Sequence, residues 1–247
     1  GHSFGPRPVR REDSKLSITD EELRSNIQTL LSAAAGKARV LAATKTVDVQ
    51  TINKIYDMGI DLIGENRVQE LMEKLPYLDK RFEIHFIGRL QRNKVKYIVG
   101  RVALIHSLDS VPLAEEIDKR AQKLGTVQEC LVEVNLGNED SKGGVPLEEV
   151  ENFISSVSVF GHIKIVGLMG VVPNCGEKEN LCAFFTKITK KFIDIKHQNV
   201  DNSSMSNAEM RILSLGMTHD YVQALECGSN LIRIGEGVFG ARTYQKT

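Results

Sequence analysis

From residue 19 onward the apolar positions first keep a helical rhythm and then break into short runs separated by polar turns. Thr19 and Glu22 have the S/T-x-x-E spacing of a capping box, in which the side chain satisfies amides left free at a helix start. Leu23, Ile27, Leu30, Leu31 and Ala34 then form one apolar stripe, and Gly36 is the expected stop. Beyond it come the runs Val40–Ala43, Leu62–Ile63, Ile84–Ile87, Val102–Ile105, Leu131–Val134, Ile163–Leu168, Ile212–Leu215 and Leu231–Ile234. Between them Val49–Met58, Val68–Leu75, Val95–Val99, Leu113–Leu124, Leu147–Val157, Leu181–Ile195 and Tyr221–Cys227 read as helices. Strands alternating with helices imply parallel pairing, because the crossover helix returns the chain to the same end of the sheet. Eight such units predict an α/β fold, a single (β/α)8 TIM barrel with an extra N-terminal helix. An open doubly wound sheet is the alternative. From Lys45 after the first strand to Gly235 after the eighth is 190 residues. That is about 27 per unit, close to the roughly 31 of an ordinary barrel.

Composition narrows the function classes. The chain has 247 residues, with 32 basic and 32 acidic side chains and no net charge, so a nucleic-acid partner is not expected. No apolar run reaches the length of a membrane span, and a membrane partner is not expected either. Cys130, Cys175, Cys182 and Cys227 are too scattered for a disulfide scaffold and read as thiols of a reducing compartment. The histidines lack metal-ligand spacing. Residues 1–14, with Arg7, Arg10 and Arg11, are read as a disordered tail or expression remnant, and 15–247 as one domain. A cytoplasmic protein is expected.

In a barrel the chemistry sits where the strands end. Lys45 closes the run Val40-Leu41-Ala42-Ala43-Thr44-Lys45. An amine partly desolvated there is driven toward its neutral, nucleophilic form and could attack an aldehyde; a solvated lysine is the plain alternative. After the seventh and eighth strands, Ser214-Leu215-Gly216-Met217-Thr218 and Arg233-Ile234-Gly235-Glu236-Gly237 could cradle a phosphate, with Ser214 adding a hydroxyl and Thr218 capping the next helix. Gly235–Gly240 matches G-x-G-x-x-G, but the dinucleotide motif needs a further strand and an acidic residue about twenty positions on, where this sequence has run out. In Gly64-Glu65-Asn66-Arg67, Asn66 could bond a ligand while Glu65 pairs with Arg67. Arg89–Lys96 reads as a solvated helix start, and His85 as a satisfied core histidine.

Several blocks together resemble the pyridoxal phosphate homeostasis proteins, the YggS/PROSC family. They are Ala43-Thr44-Lys45, Gly64–Glu70, His85–Lys94, Gly167-Leu168-Met169, Leu213–Met217 and Arg233-Ile234-Gly235 with Phe239–Arg242. The resemblance implies a barrel like the alanine racemase N-terminal domain, with pyridoxal 5′-phosphate (PLP) held as an internal aldimine on Lys45. It assigns Asn66 and Met169 to the cofactor site, the phosphate to Ser214, Gly216, Met217, Gly235 and Glu236, and Arg233 to the ring nitrogen or the phosphate. Glu236 stands where the family usually has Ser or Thr. Its carboxylate would repel a phosphate at short range, so it is expected to point away and offer only its amide. Arg67 and Gly170 also depart from the family pattern. The implied function is intracellular PLP (vitamin B6) homeostasis, as a monomeric carrier or buffer without catalytic turnover, with PLP-dependent apoenzymes as the expected partners. A PLP-dependent racemase is the alternative, but it requires a second base, commonly a Tyr supplied by another domain.

Overall fold

The computed structural model describes residues 18–136, 143–172, 178–198 and 207–241. The tail expectation for residues 1–14, Cys175 and Arg242 lie outside these. Eight parallel strands follow one another in ring order: β1 (Arg39–Ala43), β2 (Leu62–Glu65), β3 (Glu83–Phe86), β4 (Leu104–Leu108), β5 (Gln128–Asn135), β6 (Ile163–Val171), β7 (Ala208–Leu215) and β8 (Leu231–Ile234). Pairing of β1 with β8 and of β4 with β5 closes the ring. The sheet is a closed barrel, and the open-sheet alternative is excluded. A two-residue strand, Val145–Pro146, extends it beside the outer end of β5.

The leading helix α1 (Asp20–Ala34) begins at Thr19, whose hydroxyl accepts from the Glu22 amide at 3.1 Å. It buries Leu23, Ile27, Leu30 and Ala34, the stripe read from the sequence. Helices α2 (Val49–Asp57), α3 (Val68–Lys74), α4 (Val95–Ile98), α5 (Val111–Leu124), α6 (Val150–Val157), α7 (Lys178–Gln198) and α8 (Tyr221–Glu226) follow their strands, and α9 (Glu236–Phe239) follows β8. Their apolar faces pack on the outer face of the sheet, where residues such as Phe86, Ile105, Phe185 and Ile188 are fully buried. Each such side chain contributes roughly 1.5–3 kcal/mol.

Inside the ring, alternate strand residues form two small apolar groups: Leu41, Leu62 and Leu231, and Leu104, Leu131, Val166 and Met169. Ile87 and Ile212 pack against them, and polar residues such as His106 and Ser214 are also buried there, which displaces one expected element. The sequence places the fourth strand at Val102–Ile105, whereas β4 runs Leu104–Leu108. His106 and Ser107 break the apolar run but are buried within the strand. Hydrophobic pattern finds a strand through its burial, and a polar residue bonded inside the barrel erases that signal.

Candidate functional site at the strand ends

Register decides which distant residues share the rim. Ala42 pairs with Ile234, so the chain leaves β1 toward Lys45 beside the chain leaving β8 toward Gly235 and Glu236. On its other side Ala43 pairs with Gly64, two residues before Asn66. Met169 pairs with Ser214, and Ser214 with Leu231. Lys45, Asn66, Met169, Ser214, Arg233 and Gly235 therefore lie around one end of the barrel. Gly88 tightens this arrangement: a Cβ there would sit 1.9 Å from the Asn66 carbonyl oxygen, so only glycine lets the β3 loop close on that turn.

Lys45 lies two residues past β1, half-buried in a turn, and among the described residues no hydrogen bond or ion pair engages its amine. The turn beneath it is held by a buried network. Lys74 Nζ donates to the Thr44 carbonyl (2.8 Å), Glu65 Oε1 (2.8 Å) and Glu70 Oε2 (2.5 Å). The Thr44 hydroxyl donates to Glu65 Oε1 at 2.6 Å. Glu70 Oε2 also accepts the amide of Thr46, whose φ of 63° is a costly left-handed conformation for a β-branched residue. Glu65 does not pair with Arg67 as its spacing suggested. Its side chain is fully buried beside Lys74, while Arg67 is exposed. Burial pushes the Glu65 carboxyl above its ordinary range, against the pull of Lys74.

Across the β1–β8 seam, Gly216 has φ of 104°, and a Cβ there would meet Ala224 Cβ at 2.8 Å. This turn brings Met217 and Thr218 over the end of β8. Thr218 does not cap α8; Asp220 holds that position and accepts the Met217 amide at 2.7 Å. The Thr218 hydroxyl instead accepts the Gly237 amide at 3.2 Å, tying the two last loops together. The Glu236 carboxylate is directed to His219 Nε2 at 3.6 Å and is largely exposed, so only its backbone belongs to the rim.

Ser214 and Arg233 face the barrel interior. Arg233 Nη1 donates to the Ser214 hydroxyl and to the Ser214 carbonyl (2.9 Å), and Nη2 to the Gly170 carbonyl (3.1 Å). Burial lowers the Arg233 pKa to about 10. On the far side of the mouth Glu133 and Asp109 approach Gly143, and the Gly144 amide donates to Asp109 Oδ2 at 3.1 Å. Burial raises Glu133 to about 7, with Asp109 pushing it the same way.

The family described as alanine racemase, N-terminal domain, matches residues 18–243. A pyridoxal phosphate homeostasis protein of Aquifex aeolicus is 41% identical over 208 residues, covering 84% of this chain and 88% of its own. One from Helicobacter pylori is 35% identical over 81% of this chain and 86% of its own. The chain belongs to the pyridoxal phosphate homeostasis protein family. Solved structures agree. PipY of Synechococcus elongatus without PLP has a TM-score of 0.81 at 27% identity, covering 88% of this chain and all (100%) of its own. PipY with PLP bound has 0.77 at 26%, covering the same shares. Alanine racemase of Clostridium difficile, at 14% identity and a TM-score of 0.71, shares the fold over 88% of this chain and 56% of its own.

Of the residues singled out in this homeostasis-family chain, the barrel gathers Lys45, Asn66, Gly216, Gly235 and the Glu236 backbone at the rim. Three others have protein partners in this structure. The Met169 side chain is 2% exposed and packs with Leu104, Leu131 and Val166 as part of the barrel filling. The Met217 side chain is exposed and its amide is taken by Asp220. The Ser214 hydroxyl is within hydrogen-bond distance of Arg233 and of His106 (3.1 Å). The sequence singles out neither Lys74 nor His106: His106 is a polar residue in an apolar strand, and Lys74 is one of several polar residues in a short helix.

Lys74→Met strands Glu65 and is expected to cost about 3–5 kcal/mol in urea denaturation, with much of that regained on adding Glu65→Leu. Glu133 gives a pH signature. Its folded pKa lies above the unfolded value, so the native state holds the proton longer. Relative to Glu133→Gln, the parent protein should lose stability as pH rises from 4.5 toward about 7 and stay level beyond, read from melting temperatures across that range.

Proposed function

We propose that this chain is a PLP carrier of vitamin B6 homeostasis, with Lys45 as the attachment amine. The observation that carries the reading is the half-buried Lys45 amine, unengaged among the described residues, beside the loops of β7 and β8. PipY, a relative of the same fold, has been solved with PLP. When bound, the cofactor supplies an aldehyde that condenses with a primary amine, losing water.

The residues fit the group. The Thr218 hydroxyl and the Glu236 amide, the latter a first-turn N–H without an intrahelical partner, supply donors for a phosphate. The Glu236 carboxylate, turned to His219, leaves that place clear of negative charge. Thr218 takes the hydroxyl role that the sequence suggested for Ser214, because Ser214 is engaged with Arg233 inside the barrel. Asn66 is positioned by the Glu65–Lys74 network and the Gly88 approach to bond the cofactor, and Met169 forms part of the apolar floor. Arg233, a buried cation, is assigned to the ring nitrogen: its three contacts to Ser214 and Gly170 hold it in the barrel interior, away from the Thr218 loop. A guanidinium there keeps the nitrogen unprotonated and weakens the electron sink that carbanion chemistry requires.

A carrier without committed turnover follows from the same rim. Racemisation needs a base on each face of the reacting carbon. The described tyrosines lie elsewhere: Tyr56 packs edge-on against Phe82 under Arg81, Tyr77 and Tyr97 are exposed, and Tyr221 packs with the helices outside the sheet. Delivery to PLP-dependent apoenzymes, as a cytoplasmic monomer, completes the proposal. Among the described residues no helix is long and apolar enough to cross a membrane.

Borohydride treatment of the PLP-loaded protein followed by peptide mass spectrometry should find the reduced adduct on Lys45; an adduct on another lysine overturns the assignment. Thr218→Val should weaken PLP by about tenfold, the value of a hydrogen bond to a charged group, and leave pyridoxal unchanged. Equal losses for both, by fluorescence titration, would remove Thr218 from the phosphate site.

A further inference from the structure

A hydrogen-bonded column runs through the barrel from its other end to Arg233. Glu83 Oε2, half-exposed beside an open cleft of ≈ 410 Å³ lined by Lys37, Arg39, His85 and Arg211, lies 2.6 Å from His85 Nε2. His85 Nδ1 is 2.9 Å from His106 Nε2, and His106 Nδ1 is 3.1 Å from the Ser214 hydroxyl, which accepts from Arg233. His85 is 2% exposed, and His106 and Ser214 are fully buried.

Chemistry at the two ends fixes the direction of every link. A guanidinium only donates, so the Ser214 oxygen accepts from Arg233; because that oxygen has a second lone pair, it is the carboxylate end, read through two neutral imidazoles, that directs the Ser214 proton to His106 Nδ1. His106 then carries its proton on Nε2 and gives it to His85 Nδ1, and His85 donates from Nε2 to Glu83. The carboxylate at that end only accepts; the His85 hydrogen bond holds it ionised, with its pKa lowered to about 2. Both imidazoles are neutral, in agreement with burial, which lowers His85 and places His106 well below the ordinary range.

We propose that Glu83, His85, His106 and Ser214 form a one-way positioning column that couples the far end of the barrel to the Arg233 guanidinium in the cofactor mouth. A proton added to His85 reverses the links above it. His85 Nδ1 becomes a donor, His106 moves its proton to Nδ1, and Ser214 must then accept from both His106 and Arg233. The charged groups facing His85 set when this occurs: Glu83 and Glu129 favour the cation, whereas Arg39 opposes it. Arg39 is itself paired with Glu83 and Asp61, and Arg211 with Glu129. Among the described residues the charged or titratable groups that act on His106 are His85 and Arg233, beside its contact with the Ser214 hydroxyl. The column exists without cofactor; its effect on cofactor rests on the reading of the mouth given above.

The test begins on the full-length, cofactor-free protein with ¹⁵N-labelled histidine and arginine. Near neutral pH both imidazoles should show the neutral Nε2–H tautomer, and Glu83→Gln should displace the Arg233 Nε line in the parent but not in His106→Gln. An Nδ1–H tautomer, an imidazolium, or an Arg233 line indifferent to Glu83 overturns the column. In PLP titrations Ser214→Ala and His106→Gln should each weaken affinity by about tenfold, and the pair together by about tenfold rather than a hundredfold. Multiplying losses would show that the two residues act independently and overturn the coupling. Normal imidazole tautomers with no borohydride adduct would sink the cofactor reading and leave the column standing.

Discussion

Closure of the ring between β1 and β8 is the constraint on which the site depends. The pairing of Arg39 through Ala42 with Leu231 through Ile234 joins the first strand to the last. It places Lys45 beside loops nearly two hundred residues later in the sequence. A parallel barrel cannot slip this register by one residue without turning one strand over, either β1 with Leu41 outward and Val40 inward or β8 with Leu231 outward and Ile232 inward. Core packing therefore fixes the neighbours of the amine.

Burying a guanidinium is the second constraint. Arg233 inside the ring would be prohibitive without acceptors, and the barrel supplies two carbonyls and a hydroxyl. That hydroxyl then needs an acceptor of its own, which His106 provides, and His106 needs His85. Each polar group satisfies one demand and creates the next, until Glu83 delivers the chain to solvent. The interior thus combines apolar side chains with a hydrogen-bonded column. Another polar cluster, Lys74 with Glu65, Glu70 and Thr44, lies outside the ring and secures the strained turn that carries Lys45.

Much of this was legible in the chain. The stripe of α1, the alternation of strands and helices and the spacing between Lys45 and Gly235 all point to a barrel, because they reflect which side chains leave water. Strand ends then located Lys45, Asn66, Arg233 and Gly235. The outward aim of Glu236 was also legible, from the repulsion between a carboxylate and a phosphate. Polar partners leave no such trace: Glu65 pairs with Lys74 rather than with its near neighbour Arg67, and Thr218 with Gly237 rather than with its own helix.

The sequence by itself determined the architecture and placed Lys45 just past the end of a strand, since hydrophobic periodicity is local and a barrel assigns its strand ends to one face. Tertiary structure alone decided which hydrogen bonds the polar residues make. Those bonds join residues such as His106 and Ser214, 108 positions apart, and their direction depends on distance and angle in space. Apolar burial is tolerant of neighbours and leaves a periodic trace. A buried donor must find one particular acceptor, and no spacing along the chain records which.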